Sequence, residues 1–216
     1  MVDYINNGDT SCSWKVAETK RGEGYTAYRL DFTSQIWRES VWRHQLMVIV
    51  PDKISHNEVL VHIAGGSVDT KTEMPNLYGW DHRAIQFQTG IAKRCEAVTA
   101  ILWHVPRQPL YGNKYEDELL SFTLHMFQND KDYSWPLLFP MVKSVVRAMD
   151  SIEEFVEQKH QTKAIEGVKE DMVRLESKVD VLESKPGKRW DGFVDKLIWG
   201  VAGAILAFML AVIGIG

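Results

Sequence analysis

Cysteine, strong charge and familiar catalytic motifs are all scarce in this sequence. Its two cysteines, Cys12 and Cys95, make neither a disulfide framework nor a metal-binding pair. They are compatible with a reducing compartment but do not decide it. The formal net charge is only −4, and no basic cluster is interleaved with aromatic residues. This composition argues against a nucleic-acid partner.

Motifs for metal and nucleophilic chemistry are also missing. The seven histidines include no His-Glu-x-x-His pair, so we predict no metal and no cofactor. No Gly-x-Ser-x-Gly turn is present to expose a serine nucleophile between a strand and a helix. We therefore predict no catalytic residue.

The opening residues, MVDYINNGDTSCSW, lack the charged and then apolar pattern of a signal peptide.

The sequence has two unlike parts. Residues 1–160 are rich in Trp, Tyr, His and Pro and are numerous enough for one hydrophobic core. The remainder divides into an amphipathic or coiled-coil helix at 161–185, a hinge and interfacial segment at 186–196, and a transmembrane helix at 197–216.

Short apolar runs bounded by Gly or Pro punctuate the first part. They predict strands covered on both faces, at 44–51, 59–64 and 97–105. The alternating segment at 25–32 predicts a further strand. Helical patterns lie at 81–96, at 116–127 and after Pro140. Strands alternating with helices predict an α/β domain with a mostly parallel sheet and flanking helices.

The Gly65-Gly66 pair, which follows the second apolar run, is a weak candidate for chemistry. In α/β hydrolases a glycine turn after a strand supplies a backbone N–H to an oxyanion hole. An ordinary tight turn is the simpler interpretation. We expect structural roles for the scattered histidines. The acidic cluster at 115–118 is expected to stabilise the positive end of a helix dipole.

An apolar seam follows the first part at the spacing of a coiled coil. Its members recur at intervals of three and four residues: Ile165, Val168, Met172, Leu175, Val179 and Leu182. Charged residues fill the other faces. The pattern predicts self-association, although a lone amphipathic helix packing on its own globular part remains an alternative.

The last twenty residues, LIWGVAGAILAFMLAVIGIG, carry no charge. As a helix they would span about 30 Å, the thickness of a bilayer's hydrocarbon core. Lysines and an arginine precede the run, which predicts a single-pass anchor with the large part on the cytoplasmic side. Expected interface anchors are Trp190, Lys196 and Trp199, and the small residues Gly203, Ala207 and Ala211 form a face for close helix packing. Membrane lipid and a second copy are the predicted partners.

Several stretches resemble the PhoPQ-activated pathogenicity-related protein family over about residues 14–158. They are YRLDFTSQIWRESVWRHQLMVIVP, VLVHIAGGS, AILWHVPRQPL, YEDELLSF and SWPLLFPMVKSVVRAMDSIEEF. One departure is Arg107, where the family usually has Asn. The resemblance implies an α/β-hydrolase-like fold. The family's Gly-x-Ser-Lys-Arg-Gly-Trp turn has no counterpart in this sequence, so no catalytic residue is carried over.

The tail is similar to a different family, the XhlA-type haemolysin proteins, which pair a short coiled coil with one membrane helix. Three functions follow from these patterns. The first is a membrane-anchored, non-catalytic protein with a hydrolase-like part. The alternatives are a hydrolase whose site is completed by another chain, and a holin-like protein that perturbs membranes through its tail.

Overall fold

The computed structural model describes residues 1–183, apart from the side chains of residues 160, 163, 164, 182 and 183. The chain divides after Val156 into two units, residues 1–156 and 157–216, whereas the sequence predicts the boundary at 160. Its elements are, in order, α1 (Val2–Ile5), β1 (Ser13–Gly22), β2 (Tyr25–Trp37), β3 (Ser40–Pro51), β4 (Val59–Ile63), α2 (Arg83–Cys95), β5 (Val98–Leu102), α3 (Glu116–Asp130) and α4 (Leu138–Glu183).

One five-stranded sheet, in the order β1-β2-β3-β5-β4, forms the centre of the first unit. The pairs β1/β2, β2/β3 and β3/β5 are antiparallel, and β4/β5 is parallel. The predicted mixture of sheet and helices is confirmed, but the prediction of a mostly parallel sheet is wrong.

Tight turns are the physical reason for the antiparallel pairing. Trp37 pairs with Ser40, so Arg38 and Glu39 alone connect β2 to β3, and both have positive φ (46° and 70°). A two-residue connection joins only antiparallel neighbours. Arg-Glu is not a usual sequence for such a turn, so the hairpin is not apparent from composition.

The apolar runs of β3 and β5 are buried on both faces, as predicted. The same prediction is wrong for β4, which lies at the edge of the sheet with Leu60 and Ile63 about half exposed. Along β3 the side chains alternate, with Leu46 and Val48 in the core beneath α4 and Met47 and Ile49 in the core beneath α2. From the first turns of α4, Ala148, Ile152 and Phe155 close one core; from α2, Ile85 and Ala92 close the other. The continuous hydrophobicity of these strands therefore follows from their central position.

Helix α4 runs from Leu138 to Glu183 and contains the predicted seam. Ile165, Met172 and Leu175 are 49%, 37% and 39% exposed. Val168 and Val179 are half-buried, and the side chain of Leu182 is among those not described. Within residues 1–183, no helix is both long and apolar enough to cross a bilayer. The predicted hinge, interface anchors and span at 186–216 lie outside the described residues.

Candidate functional site

The loops that follow the parallel strands β4 and β5 meet at one edge of the sheet. Ile63 and Leu102, the last residues of the two strands, are paired in the ladder. Beyond them the amide of Val105 donates to the carbonyl of Ala64 at 3.2 Å, and the amide of Val68 donates to the carbonyl of Gln108 at 2.7 Å. Ligand sites of α/β sheets lie at this carboxyl edge, so it is the place to look for function.

Gly65 and Gly66 lie at this edge, directly after β4. A Cβ on Gly66 would lie 2.7 Å from Cδ2 of His104, whereas one on Gly65 would meet nothing within 4 Å. Glycine at position 66 is therefore explained by close packing. Neither amide donates a hydrogen bond to another residue of the described chain. Gly65 is exposed and Gly66 is half-buried, so this turn is partly accessible to a ligand.

His104 is held as one neutral tautomer. The amide of Gln45 donates to its Nδ1 at 3.4 Å, so Nδ1 carries no proton. Its Nε2–H donates to the carbonyl of Asn76 at 3.1 Å. Burial lowers the pKa of His104, and hydrogen bonds to backbone carbonyls oppose this only in part. Both ring nitrogens are occupied, so His104 supports the loop, as the sequence predicts.

His44, on β3, is held as the opposite tautomer within a second set of polar groups. Its Nδ1–H donates to the carbonyl of Trp103 at 3.0 Å, so Nε2 accepts from Oγ of Ser34 at 2.8 Å. Oγ of Ser34 in turn lies 2.8 Å from Oγ of Ser144 on α4. The amide of the Gln35 side chain donates to Ser144 at 3.0 Å and to the carbonyl of Pro140 at 2.6 Å. We call Ser34, Gln35, His44 and Ser144 the inner polar cluster.

The serine–histidine pair of this cluster has the distance of a catalytic pair but not its setting. Ser34 is fully buried and His44 is 2% exposed, so no substrate reaches the hydroxyl. The third partner is a backbone carbonyl rather than a carboxylate, which leaves nothing to stabilise an imidazolium. Burial lowers the pKa of His44 to about 3. The inner polar cluster therefore fastens α4 to β2 and β3.

Two cations are also buried in this unit. Lys143, on α4, donates to Oδ1 of Asn7 at 2.7 Å and forms an ion pair with Asp9 at 3.2 Å. Arg107, in the loop after β5, is 2% exposed and forms an ion pair with Glu73 at 3.6 Å. Its Nε is buried without a hydrogen-bond partner. Arg107 is thus the poorly satisfied charge at the carboxyl edge.

The structure places few of the sequence-predicted site residues at this edge. Gly65 and Gly66 are there, and the acidic residues of 116–118 begin α3 as expected. The seam residues of α4 belong to the second unit. Among residues 1–183, no group of three or more His, Cys, Asp or Glu side chains is arranged to hold a metal.

Sequence reasoning missed the inner polar cluster and both buried cations. Their signal was available in the motifs themselves, since Ser34 and Gln35 precede Ile36-Trp37, and His44 lies between Trp42 and the apolar run of β3. Lys143 and Ser144 likewise sit in PMVKS, on the face of a helix that must pack. Polar residues at positions due for burial indicate a hydrogen-bonded network.

Comparison with known proteins shows the family of this chain. The model of the PhoPQ-activated pathogenicity-related protein family matches residues 1–167. The chain belongs to this family. A curated relative, Autocrine proliferation repressor protein A of Dictyostelium discoideum, is 29% identical over 166 residues, which make up 72% of this chain and 32% of that protein. The family member described here therefore spans about a third of the relative's length.

Two solved structures named as acetyl xylan esterases are similar in part. The one from Bacteroides fragilis has a TM-score of 0.40 and 11% identity, covering 70% of this chain and 40% of that chain. The one from Paenibacillus sp. R4 has a TM-score of 0.41 and 11% identity, covering 70% and 43%. Similarity at this level carries nothing about a substrate.

Proposed function

We propose that this family member is a non-catalytic, hydrolase-like protein held at a membrane by residues 197–216, with residues 1–156 on the cytoplasmic side. One observation carries the non-catalytic part. Within the described residues, the hydrogen-bonded pair of Ser34 and His44 is sealed in the core, and its histidine is kept neutral. A nucleophile needs an exposed hydroxyl and a base that accepts its proton during the reaction.

A fluorophosphonate probe tests this proposal on the full chain in detergent. We expect no serine to be labelled stoichiometrically, because Ser34, the serine that pairs with a histidine in the described part of the chain, is inaccessible. The Ser34→Ala variant is the matched control. Stoichiometric labelling of wild type would defeat the proposal, and loss of the label in Ser34→Ala would name Ser34 as the nucleophile.

A second candidate function is a hydrolase site completed by another chain. The observation that favours it is the pair of amides at Gly65 and Gly66, which donate no hydrogen bond within the described chain and belong to a partly accessible turn. Probe labelling of native membranes, followed by purification of this chain, separates the two candidates. A labelled serine on a co-purifying chain, lost when Gly66→Ala replaces wild type, would favour the second.

Attachment to the membrane rests on the uncharged run at 197–216. Its centre should not tolerate a charge, which costs about 3 kcal/mol at the middle of a spanning helix. We expect Ala207→Arg to leave the membrane fraction in a flotation gradient and Ala207→Leu to remain there. Equal flotation of both variants would remove the anchor from the proposal.

Self-association through α4 is part of the same proposal. It is supported by the apolar seam, whose members Ile165, Met172 and Leu175 are at least one-third exposed. Sedimentation in detergent should give a dimer or larger species for wild type and a smaller one for Leu175→Lys. Glu176→Lys, a neighbouring exposed position off the seam, should behave as wild type. A monomeric wild type would overturn this part.

A further inference from the structure

Arg107 is a buried charge that the described part of the chain satisfies only in part. Its side chain is 3% exposed, and the Glu73 carboxylate lies 3.6 Å from Nη2, beyond hydrogen-bonding distance. Nε is fully enclosed without a partner. A guanidinium has five N–H donors in a planar fork, so Arg107 has donor capacity that a ligand can use.

A second guanidinium lies close to it. Arg43 lies on β3 two residues before Gln45, whose carbonyl accepts from the amide of Trp103 just after β5 at 3.0 Å. Burial lowers the pKa of Arg107, and the positive charge of Arg43 lowers it further, against the opposing effect of Glu73. Two cations at one edge concentrate positive potential there.

Within residues 1–183, the acidic group paired with Arg107 is held on a surface loop. Asp69 organises this loop by accepting from the amides of Lys71 and Thr72 at 2.9 and 2.8 Å. The Glu73 side chain is 57% exposed, and its Oε1 lies 3.6 Å from Nη2 of Arg107, beyond hydrogen-bonding distance. Glu73 can therefore turn towards water at little cost, because an exposed carboxylate keeps its hydration.

We propose that Arg107, assisted by Arg43, binds a small oxyanion, either a carboxylate or a phosphate monoester, which displaces the carboxylate of Glu73. The planar fork of Arg107 matches two oxygens of either group. Because Arg107 is almost wholly buried, only a small anionic group could reach it. This assignment names a ligand class that the proposed function does not contain.

Titration calorimetry on the full chain in detergent tests the assignment, with inorganic phosphate and acetate as probes at constant ionic strength. Wild type should bind at least one of them with a stoichiometry near one. Arg107→Gln should weaken binding by about tenfold or more, because a charge-assisted pair is lost. Arg83→Gln, at an exposed position on α2, should bind as wild type. Equal binding by Arg107→Gln and wild type would overturn the site.

The variant Glu73→Gln keeps the test decisive if Arg107→Gln does not fold. Glu73 competes with the ligand in the proposal, so its neutralisation should tighten binding about threefold to tenfold. Weaker binding, or no heat in wild type and Glu73→Gln alike, would overturn the proposal. A result of either kind leaves the fluorophosphonate experiment unaffected, so the two proposals fail separately.

Soluble dihexanoyl phosphatidic acid distinguishes a lipid headgroup from a free small molecule as the source of the anion. If the headgroup is the ligand, it should bind at least as tightly as inorganic phosphate and lose affinity in Arg107→Gln. If the ligand is a free small molecule, phosphate or acetate should bind and the lipid should not. Binding of the lipid that persists in Arg107→Gln would count against the site.

Discussion

Lys143 and Arg107 are two cations buried to the same degree and satisfied to very different degrees. Lys143 has an amide oxygen at 2.7 Å, the carboxylate of Asp9 at 3.2 Å and the ring of Tyr4 5.7 Å from its Nζ. Arg107 has one carboxylate at 3.6 Å and an orphaned Nε. Lys143 therefore stabilises the packing of α4 against the N-terminal segment. Arg107 has unused hydrogen-bond donors at the carboxyl edge, where a ligand could accept from them.

The largest effect expected from this comparison is the loss of Lys143. Lys143→Met should lower the free energy of unfolding by about 3 kcal/mol, because Asp9 and Asn7 lose their buried partner. Urea denaturation measures the change. Lys53→Met, whose lysine is 74% exposed beside Glu96, should cost less than about 1 kcal/mol. Similar losses in both variants would show that burial does not set the value of these ion pairs.

Removal of one hydroxyl from the inner polar cluster should have the next largest effect. Ser144→Ala leaves Gln35 and Ser34 short of a partner and should cost about 2 kcal/mol. The matched control is Ser121→Ala, at an exposed position on α3, which changes helix propensity equally and should stay within about 0.5 kcal/mol of wild type. An equal change in the free energy of unfolding for Ser144→Ala and Ser121→Ala would mean that water replaces the lost hydrogen-bond partner in the inner polar cluster.

The pH dependence of stability tests whether His44 is neutral when folded. Its folded pKa is about 3, below the unfolded value of about 6.5, so the unfolded chain binds more protons between these limits. The contribution is complete above pH 6.5 and is lost as the pH falls, with a slope of at most about 1.4 kcal/mol per pH unit. Denaturation between pH 4.5 and 6.5 should show this slope in wild type and a smaller one in His44→Gln.

The range from pH 4.5 to 6.5 separates the contribution of His44 to the slope from that of Asp9. Hydrogen bonds from Ser11, Lys143 and the amide of Ile36 outweigh the effect of burial on Asp9 and lower its pKa to about 2, so its contribution is lost only below about pH 4. His104 is also kept neutral by burial and leaves a residual slope in His44→Gln. His62→Gln, at an exposed position on β4, is the control. An unchanged slope in His44→Gln would contradict the assignment.

The smallest effect is expected at Arg107, and it sharpens the contrast with Lys143. Arg107→Met in ligand-free buffer should change the free energy of unfolding by less than about 1 kcal/mol, since an apolar side chain replaces a poorly paired buried charge. Added phosphate should then raise the melting temperature of wild type but not of the variant. A loss as large as that of Lys143→Met would mean that Arg107 already has strong partners in the folded chain.

Much of the secondary structure could be predicted, and the pairing of strands could not. The apolar runs of β3, β4 and β5 and the helical spacing in α4 are confirmed. β1 was missed because most of its side chains are exposed, so it carries little hydrophobic periodicity. The antiparallel β2/β3 hairpin was missed because its turn residues, Arg38 and Glu39, carry no turn signature. The candidate site was predicted only at Gly65 and Gly66.

The sequence alone determined which segments are apolar, which helix starts with acidic residues and which family motifs are present. These are local properties, carried by neighbouring residues with a period of two or 3.6. Only the tertiary structure decided what the buried polar groups meet, because the partners are distant in the chain: Ser34 and Ser144 are separated by 110 residues, and Lys143 and Asp9 by 134. It also decided that Arg107 is buried without an adequate partner. The lack of hydrogen-bond acceptors around Arg107 depends on all the groups packed against its guanidinium, and these groups cannot be predicted from neighbouring residues in the sequence.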